Sequence, residues 1–257
     1  MMPTLRRAER RRLNGTSTVA SGFLALALAI APGEASAGPP YLTDDPDPAA
    51  YHHWELYLAS QWDHIGPRSA EGSLPHLEVN FGVVHGAMLH LLVPTAFVAS
   101  EDGRTSYGLG DVELGANIKL LEEGPGRPQI GTFPIAVIPT GSDAKGLGSG
   151  TVELFVPIWL MKHMGQWTLD AGGGIRFSDG DTEADLGVFV QRSFGEVVSL
   201  GTELFVTLPF DQSGVRTQLD LALILDLSDS HHLLFSGGPS FGAVDGGQAY
   251  AAWMMTL

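Results

Sequence analysis

Gly110-Asp111-Val112-Glu113-Leu114-Gly115-Ala116-Asn117-Ile118-Lys119-Leu120 decides how this chain folds. Val112, Leu114, Ala116, Ile118 and Leu120 fall on one side of an extended backbone. Asp111, Glu113, Gly115, Asn117 and Lys119 fall on the other. A side-chain period of two belongs to a β-strand with two unlike faces. Stretches of the same kind, punctuated by short turn-like segments, recur from Trp54 to Leu257. A soluble sheet turns its polar face to water, whereas a membrane barrel turns its apolar face to lipid and its polar face to a lumen.

The N-terminus favours the barrel. Arg6, Arg7, Arg10, Arg11 and Arg12 form a basic region, Val19 to Ala31 an apolar one, and Ala35-Ser36-Ala37 an A-x-A cleavage site. The apolar run is well short of the ~20 residues of a spanning helix, so residues 1–37 read as a cleaved signal peptide rather than a retained anchor. Leu13-Asn14-Gly15 after the arginines fits a twin-arginine signal loosely, which leaves the general secretory route. The expected location is the outer membrane of a Gram-negative cell.

Composition narrows the function classes. The chain has no cysteine, which excludes a lipid-modified cysteine, disulfides and thiolate metal sites. Its formal charge is −15, and losing residues 1–37, with five Arg and two Glu, makes it −18. Such an acidic chain is poorly suited to nucleic acid or to an anionic surface. Nothing after residue 38 is apolar for long enough to be a transmembrane helix. Much of the glycine lies in alternating segments or turns, as curved sheets require.

The mature chain divides into an extended N-terminal segment, residues 38–52, and a barrel, residues 53–257. Prolines in Gly38-Pro39-Pro40-Tyr41-Leu42-Thr43-Asp44-Asp45-Pro46-Asp47-Pro48 bar a helix or central strand, so this opening reads as a linker-like tether. Strands are predicted over 53–63, 76–85, 87–98, 107–121, 128–139, 149–162, 166–178, 182–193, 197–208, 214–227, 231–241 and 247–257. The fold class is therefore all-β, a closed antiparallel up-and-down transmembrane barrel of about 12 strands. With a periplasmic N-terminus, the longer connections 64–75, 100–106 and 141–148 face outward. Short turns such as His163-Met164-Gly165 and Ser193-Phe194-Gly195-Glu196 face the periplasm.

Faces follow from the period. The predicted lipid rows are Leu77, Val79, Phe81, Val83; Val112, Leu114, Ala116, Ile118; Val152, Leu154, Val156, Ile158; Leu186, Val188, Val190; Leu200, Leu204, Val206; and Leu219, Leu221, Leu223, Leu225. No charge interrupts them, which matters because Lys or Arg at the midplane costs roughly 2–4 kcal/mol. The opposite face supplies the candidate lumen-lining residues: Glu55, Glu78, Asp111, Glu113, Lys119, Glu153, Asp170, Arg176, Asp185, Glu203, Arg216 and Asp220. Trp54, Trp62, Trp159, Trp167 and Trp253 are expected to form an aromatic girdle. The competing reading is a soluble sandwich or calyx. Its strands are usually of about 5–6 residues, shorter than these, and its sheet edges need covering.

Counted back from the end, Leu257, Met255, Trp253, Ala251 and Ala249 share one face of the last strand, as in a barrel-assembly signal, although Leu replaces the usual terminal aromatic. Thr43-Asp44-Asp45-Pro46-Asp47-Pro48, His53-Trp54-Glu55-Leu56-Tyr57, Gly108-Leu109-Gly110-Asp111-Val112-Glu113-Leu114-Gly115, Pro139-Thr140-Gly141 and Gly146-Leu147-Gly148-Ser149-Gly150 add a family likeness. On these the chain resembles the MetA-like outer-membrane barrels of the phenol meta-degradation pathway, often labelled transporters. The resemblance runs along the whole mature chain and implies transport of small molecules, hydrophobic ones among them. It carries over no binding residue.

Chemical motifs are sparse. There is no GxSxG elbow, and Gly148-Ser149-Gly150 lacks its outer positions. His52-His53 and His231-His232 each present one ring per face, so neither pair forms a metal site alone, and His85 and His90 only flank a turn. Asp44, Asp45 and Asp47 lack the loop pattern of a calcium site. Asp179, Asp181, Glu183 and Asp185 read as an outer loop running into a lumen row. The sequence thus predicts no enzyme, cofactor or metal. It predicts a passive channel or uptake barrel whose acidic lumen favours cationic or neutral solutes over anions. The alternatives are a non-conducting structural or adhesive barrel and, further off, a lipid-modifying enzyme. The partners expected are outer-membrane lipid and lipopolysaccharide, the barrel-assembly machinery and a small solute.

Overall fold

The structure, a computed structural model, describes residues 39–65, 69–211, 214–243 and 245–257. The predicted signal peptide lies outside these residues. The strands are β1 (Trp54–His64), β2 (Ala70–Val84), β3 (Ala87–Ala99), β4 (Thr105–Leu109), β5 (Val112–Leu121), β6 (Gln129–Thr132), β7 (Ile135–Ile138), β8 (Glu153–Met164), β9 (Trp167–Phe177), β10 (Thr182–Phe194), β11 (Val198–Pro209), β12 (Arg216–Ser228), β13 (His231–Gly242) and β14 (Gly246–Thr256). Consecutive staves pair antiparallel, and β14 returns to β1 with Leu58 opposite Trp253, so the sheet closes. Leu257 completes the seam by exchanging backbone hydrogen bonds with Trp54, 2.9 Å each way.

Fourteen segments make twelve staves. β4 and β5 both lie against β3, and β6 and β7 both bridge β5 to β8. The first break is at Gly110-Asp111 and the second at Phe133-Pro134. A proline cannot donate to a ladder, but the Pro134 carbonyl still accepts from the Ala116 N–H at 3.1 Å. The expected closed barrel of about twelve strands is what the structure has.

One strand starts earlier than predicted. The alternation predicts a strand that begins after Pro75, yet β2 extends back to Ala70, pairing Gly72 with Trp62 on one side and with Phe97 on the other. The ladder shifts register between Ser73 and His76, and this irregularity accommodates the proline. The 64–75 connection therefore shrinks to five residues, 65–69. At that end of the barrel only the 139–152 connection is long, so the expected contrast between long outer loops and short inner turns is weaker than the sequence suggested.

The burial pattern is inverted relative to a soluble protein. Large apolar side chains of the predicted lipid rows are exposed, among them Leu114 at 48% and Leu221 at 71%. Asp170, Asp185, Glu203 and Asp220 on the other face are all buried at 2% exposure or less. A barrel in lipid needs that arrangement, because its backbone polar groups are all used between strands and only apolar side chains meet hydrocarbon. Trp54, Trp62, Trp167 and Trp253 are exposed near strand ends, where a girdle sits. Trp159 corrects the prediction: it is wholly buried, inside the barrel with Ala49, Met88, Phe133 and Phe155. Its neighbour Ile158 is exposed, and adjacent strand residues face opposite ways.

Candidate functional site

The interior is divided along its length. In the half nearer the chain termini the N-terminal segment runs inside the barrel, where the sequence had suggested a free tether. Tyr41, Thr43, Asp45, Pro46 and Ala49 are buried. Residues 39–50 form a strap that touches both walls. On one wall the Tyr41 ring stacks on Phe189 at 4.0 Å, and its hydroxyl donates to Gln191 Oε1 at 3.0 Å. The backbone N–H groups of Leu42 and Thr43 both donate to the Glu203 carboxylate, at 2.9 and 2.5 Å. On the other wall Asn117 Nδ2 donates to the Asp45 carbonyl at 2.8 Å, and Gln129 Nε2 to the Pro46 carbonyl at 3.0 Å. Lys119 Nζ pairs with Asp47 at 2.7 Å. The strap leaves the barrel beside β2, where the His52 N–H donates to the Gly82 carbonyl at 2.8 Å.

The strap is held chiefly by polar contacts, and the wall is cut back to admit it. A side chain at Gly201 would collide with the Tyr41 hydroxyl, one at Gly187 with Thr43, one at Gly131 with Pro46, and one at Gly82 with the Ala50 carbonyl. These four glycines lie on the inward faces of β11, β10, β6 and β2. That is the signal the sequence offered: glycine at inward positions of separate strands marks close approach of another backbone. The prolines of the strap showed only that it was no central strand. They did not show what buries it.

Carboxylates crowd this half. Asp44 is half-buried by area but lies deep inside the barrel, near Glu78, His90 and Glu113. Burial pushes its carboxyl up to about 7, with Glu78 and Glu113 adding to the effect and His90 opposing it. Burial also raises Asp45 well above the ordinary range, and Asp44, Asp47 and Asp170 reinforce the shift. Asp170 is wholly buried and neither of its carboxyl oxygens has a hydrogen-bond partner among the described residues. A buried polar group in that state is costly. His90 is better placed, with Nδ1 at 2.8 Å from Asn80 Oδ1 and 3.5 Å from Glu78. Glu55 accepts from the Tyr57 hydroxyl at 3.4 Å.

The other half opens into a vestibule. Two adjoining recesses of ≈ 290 and ≈ 280 Å³ share Arg176 and Glu183 in their walls. Their linings carry the acids Asp63, Glu71, Glu153, Asp181, Glu183, Asp185 and Asp211, against Arg176 and Arg216. Arg176 bridges Glu183 at 3.2 Å and Asp185 at 3.0 Å, and Arg216 reaches Asp63 at 3.4 Å. Leu42 of the strap lies in the wall of the second recess.

Of the twelve predicted lumen-lining residues, Glu153, Arg176, Asp185 and Arg216 border the vestibule. Glu203 and Lys119 grip the strap, while Glu78, Glu113 and Asp170 face it. Asp220 is enclosed, accepting from Gln218 at 2.7 Å and Gln248 at 2.5 Å. Asp111 does a different job. Sitting in the break between β4 and β5, it accepts from the Gly141 N–H at 2.9 Å and the Ser149 N–H at 2.6 Å, tying down the 139–152 connection. Leu147 of that connection is buried over Gly108. The histidine pairs make separate contacts: His232 with Asp226 at 2.6 Å, and His231 with the Trp253 ring at 5.6 Å. Among the described residues no cluster is arranged to hold a metal ion.

No family model matches the chain, and no curated protein matches it. Solved structures do. The COG4313 outer membrane channel from Pseudomonas putida F1 superposes with a TM-score of 0.70 at 13% identity, over 83% of this chain and 98% of that one. The KdgM porin superposes with a TM-score of 0.56 at 7% identity, over 78% and 98%. The fold is that of an outer-membrane β-barrel. With that fold, the apolar belt is the lipid face, and the strap and vestibule make up the interior.

Proposed function

We propose that the chain is a passive outer-membrane channel for small solutes, entered through the acid-lined vestibule. The observation that carries the reading is the vestibule itself: recesses inside a lipid-facing barrel, lined by seven acids against two arginines. A lumen of that sign draws cations, admits neutral solutes and repels anions. A solved KdgM porin complex holds disordered oligogalacturonate, a polyanion; the acid excess here suits the opposite charge. The resemblance to the MetA-like barrels supports small hydrophobic molecules as further cargo. Outer-membrane lipid and lipopolysaccharide are the expected surroundings of the belt, and the barrel-assembly machinery is the expected reader of the closing strand. No catalytic step is assigned to any residue. Reversal potentials in planar bilayers test the reading: cation preference is expected, and an anion-selective pore overturns it.

A second reading is a non-conducting structural or adhesive barrel. The strap filling one half of the interior favours it. Swelling of proteoliposomes in small sugars separates the two, since a permanently closed barrel gives none.

A further inference from the structure

We propose that residues 39–50 are a proton-responsive plug, seated while Asp44 and Asp45 are protonated and released as they ionise. This rests on the passive-channel reading above only for its consequence, an opened path. The seat itself is visible in the structure. The strap brings Asp44, Asp45 and Asp47 into an enclosure where the walls already supply Glu55 from β1, Glu78 from β2, Glu113 from β5, Asp170 from β9 and Glu203 from β11. The bases facing them are Lys119 of β5, which is paired with Asp47, and His90 of β3, whose Nδ1 is engaged by Asn80 and Glu78 and whose Nε2 has no hydrogen-bond partner among the described residues. Asp44 and Asp45 have no cationic partner of their own among the described residues. The hydrogen bonds they do make use only acceptor oxygens: Asp44 Oδ1 takes the Asp45 N–H at 2.9 Å and Asp45 Oδ1 the Asp47 N–H at 2.5 Å. A protonated carboxyl keeps both bonds and sheds the repulsion.

The direction follows from linkage. Both carboxyls sit above the ordinary carboxylate range in the seated state, Asp44 at about 7. A free strap would titrate near 4. The seated state therefore binds more protons, is at its most stable below about pH 4, and weakens as pH rises toward 7. For Asp44 alone the seating constant falls on the order of 10²–10³-fold between pH 4 and pH 8.

The absence of cysteine makes the test direct. In the full-length barrel reconstituted in vesicles, Thr43→Cys is labelled with a methanethiosulfonate at pH 5 and pH 8. Rates are normalised to Ser100→Cys on an exposed turn, which removes the thiol's own titration. At least a tenfold rise in relative rate is expected, and less than twofold when Asp44→Asn and Asp45→Asn are added. Equal rates at the two pH values, or a rise undiminished in the Asn variants, overturn the proposal. Heat-modifiable migration of every variant guards against misfolding, and Asp44→Asn with Asp45→Asn in the otherwise native barrel is expected to hold its conductance at pH 8 at the pH 5 level; a conductance that still rises with pH in that variant counts against the plug. If a chain starting at Tyr51 never conducts, the channel reading fails, while the labelling result still decides the plug.

Discussion

Gly201 stands where a larger side chain and the Tyr41 hydroxyl would compete for one space. Its hydrogen occupies the only space that the Tyr41 hydroxyl leaves, so a larger residue on β11 and the seated strap exclude each other. Gly201→Leu is predicted to eject Tyr41 from its stack on Phe189 and raise single-channel conductance at pH 5 several-fold, with the barrel still assembled. Unchanged conductance would mean that Tyr41 does not keep the strap in place. Trp159 teaches a complementary lesson. Its parity with Ile158 was legible in the sequence and excluded it from the lipid face, but a tryptophan near a strand end looks like a girdle residue until parity is enforced. Asp170 was legible as inward. That it lies there without a hydrogen-bond partner depends on what the strap and the neighbouring staves bring near it, which no local pattern encodes.

Among the elements, the strands were the most legible because a period of two reports a local property, the two faces of one extended backbone. Eleven of the staves lie close to where alternation put them; β2 gained its first turn-side residues because a register shift absorbed Pro75. The strap and the 139–152 connection were not legible, since both are fixed by partners distant in sequence. For the connection that partner is Asp111, and hydrogen bonds to a charged acceptor are worth about 1.5–3 kcal/mol. Asp111→Ala is accordingly predicted to free the connection and speed tryptic cleavage after exposed Lys145 by roughly tenfold or more, an effect of about 1.4 kcal/mol per decade. Heat-modifiable migration of the uncleaved barrel should not change. Cleavage at the wild-type rate would show that Leu147, rather than Asp111, secures this connection.

At the scale of the whole molecule, the inverted burial pattern ties sequence to membrane. Leu221 is the most exposed of the large apolar side chains in the belt and lies mid-way along β12. Leu221→Arg should cost roughly 2–4 kcal/mol in urea unfolding from vesicles, whereas Leu221→Ala should cost less; equal, small effects would place that face in water. The acid excess on the inner face was also legible, and with it the sign of the vestibule. What the sequence did not reveal is that the acids are divided between an open vestibule and a closed seat, because that division is made by the twelve residues 39–50, which read as a tether. The most direct measurement is therefore ion conductance in planar bilayers at pH 5, where the strap is seated, of the chain carrying residues 39–50 against a chain beginning at Tyr51. A cation-preferring pore is expected, with a conductance that rises markedly when the strap is gone; equal conductances, or a pore that prefers anions, would overturn this.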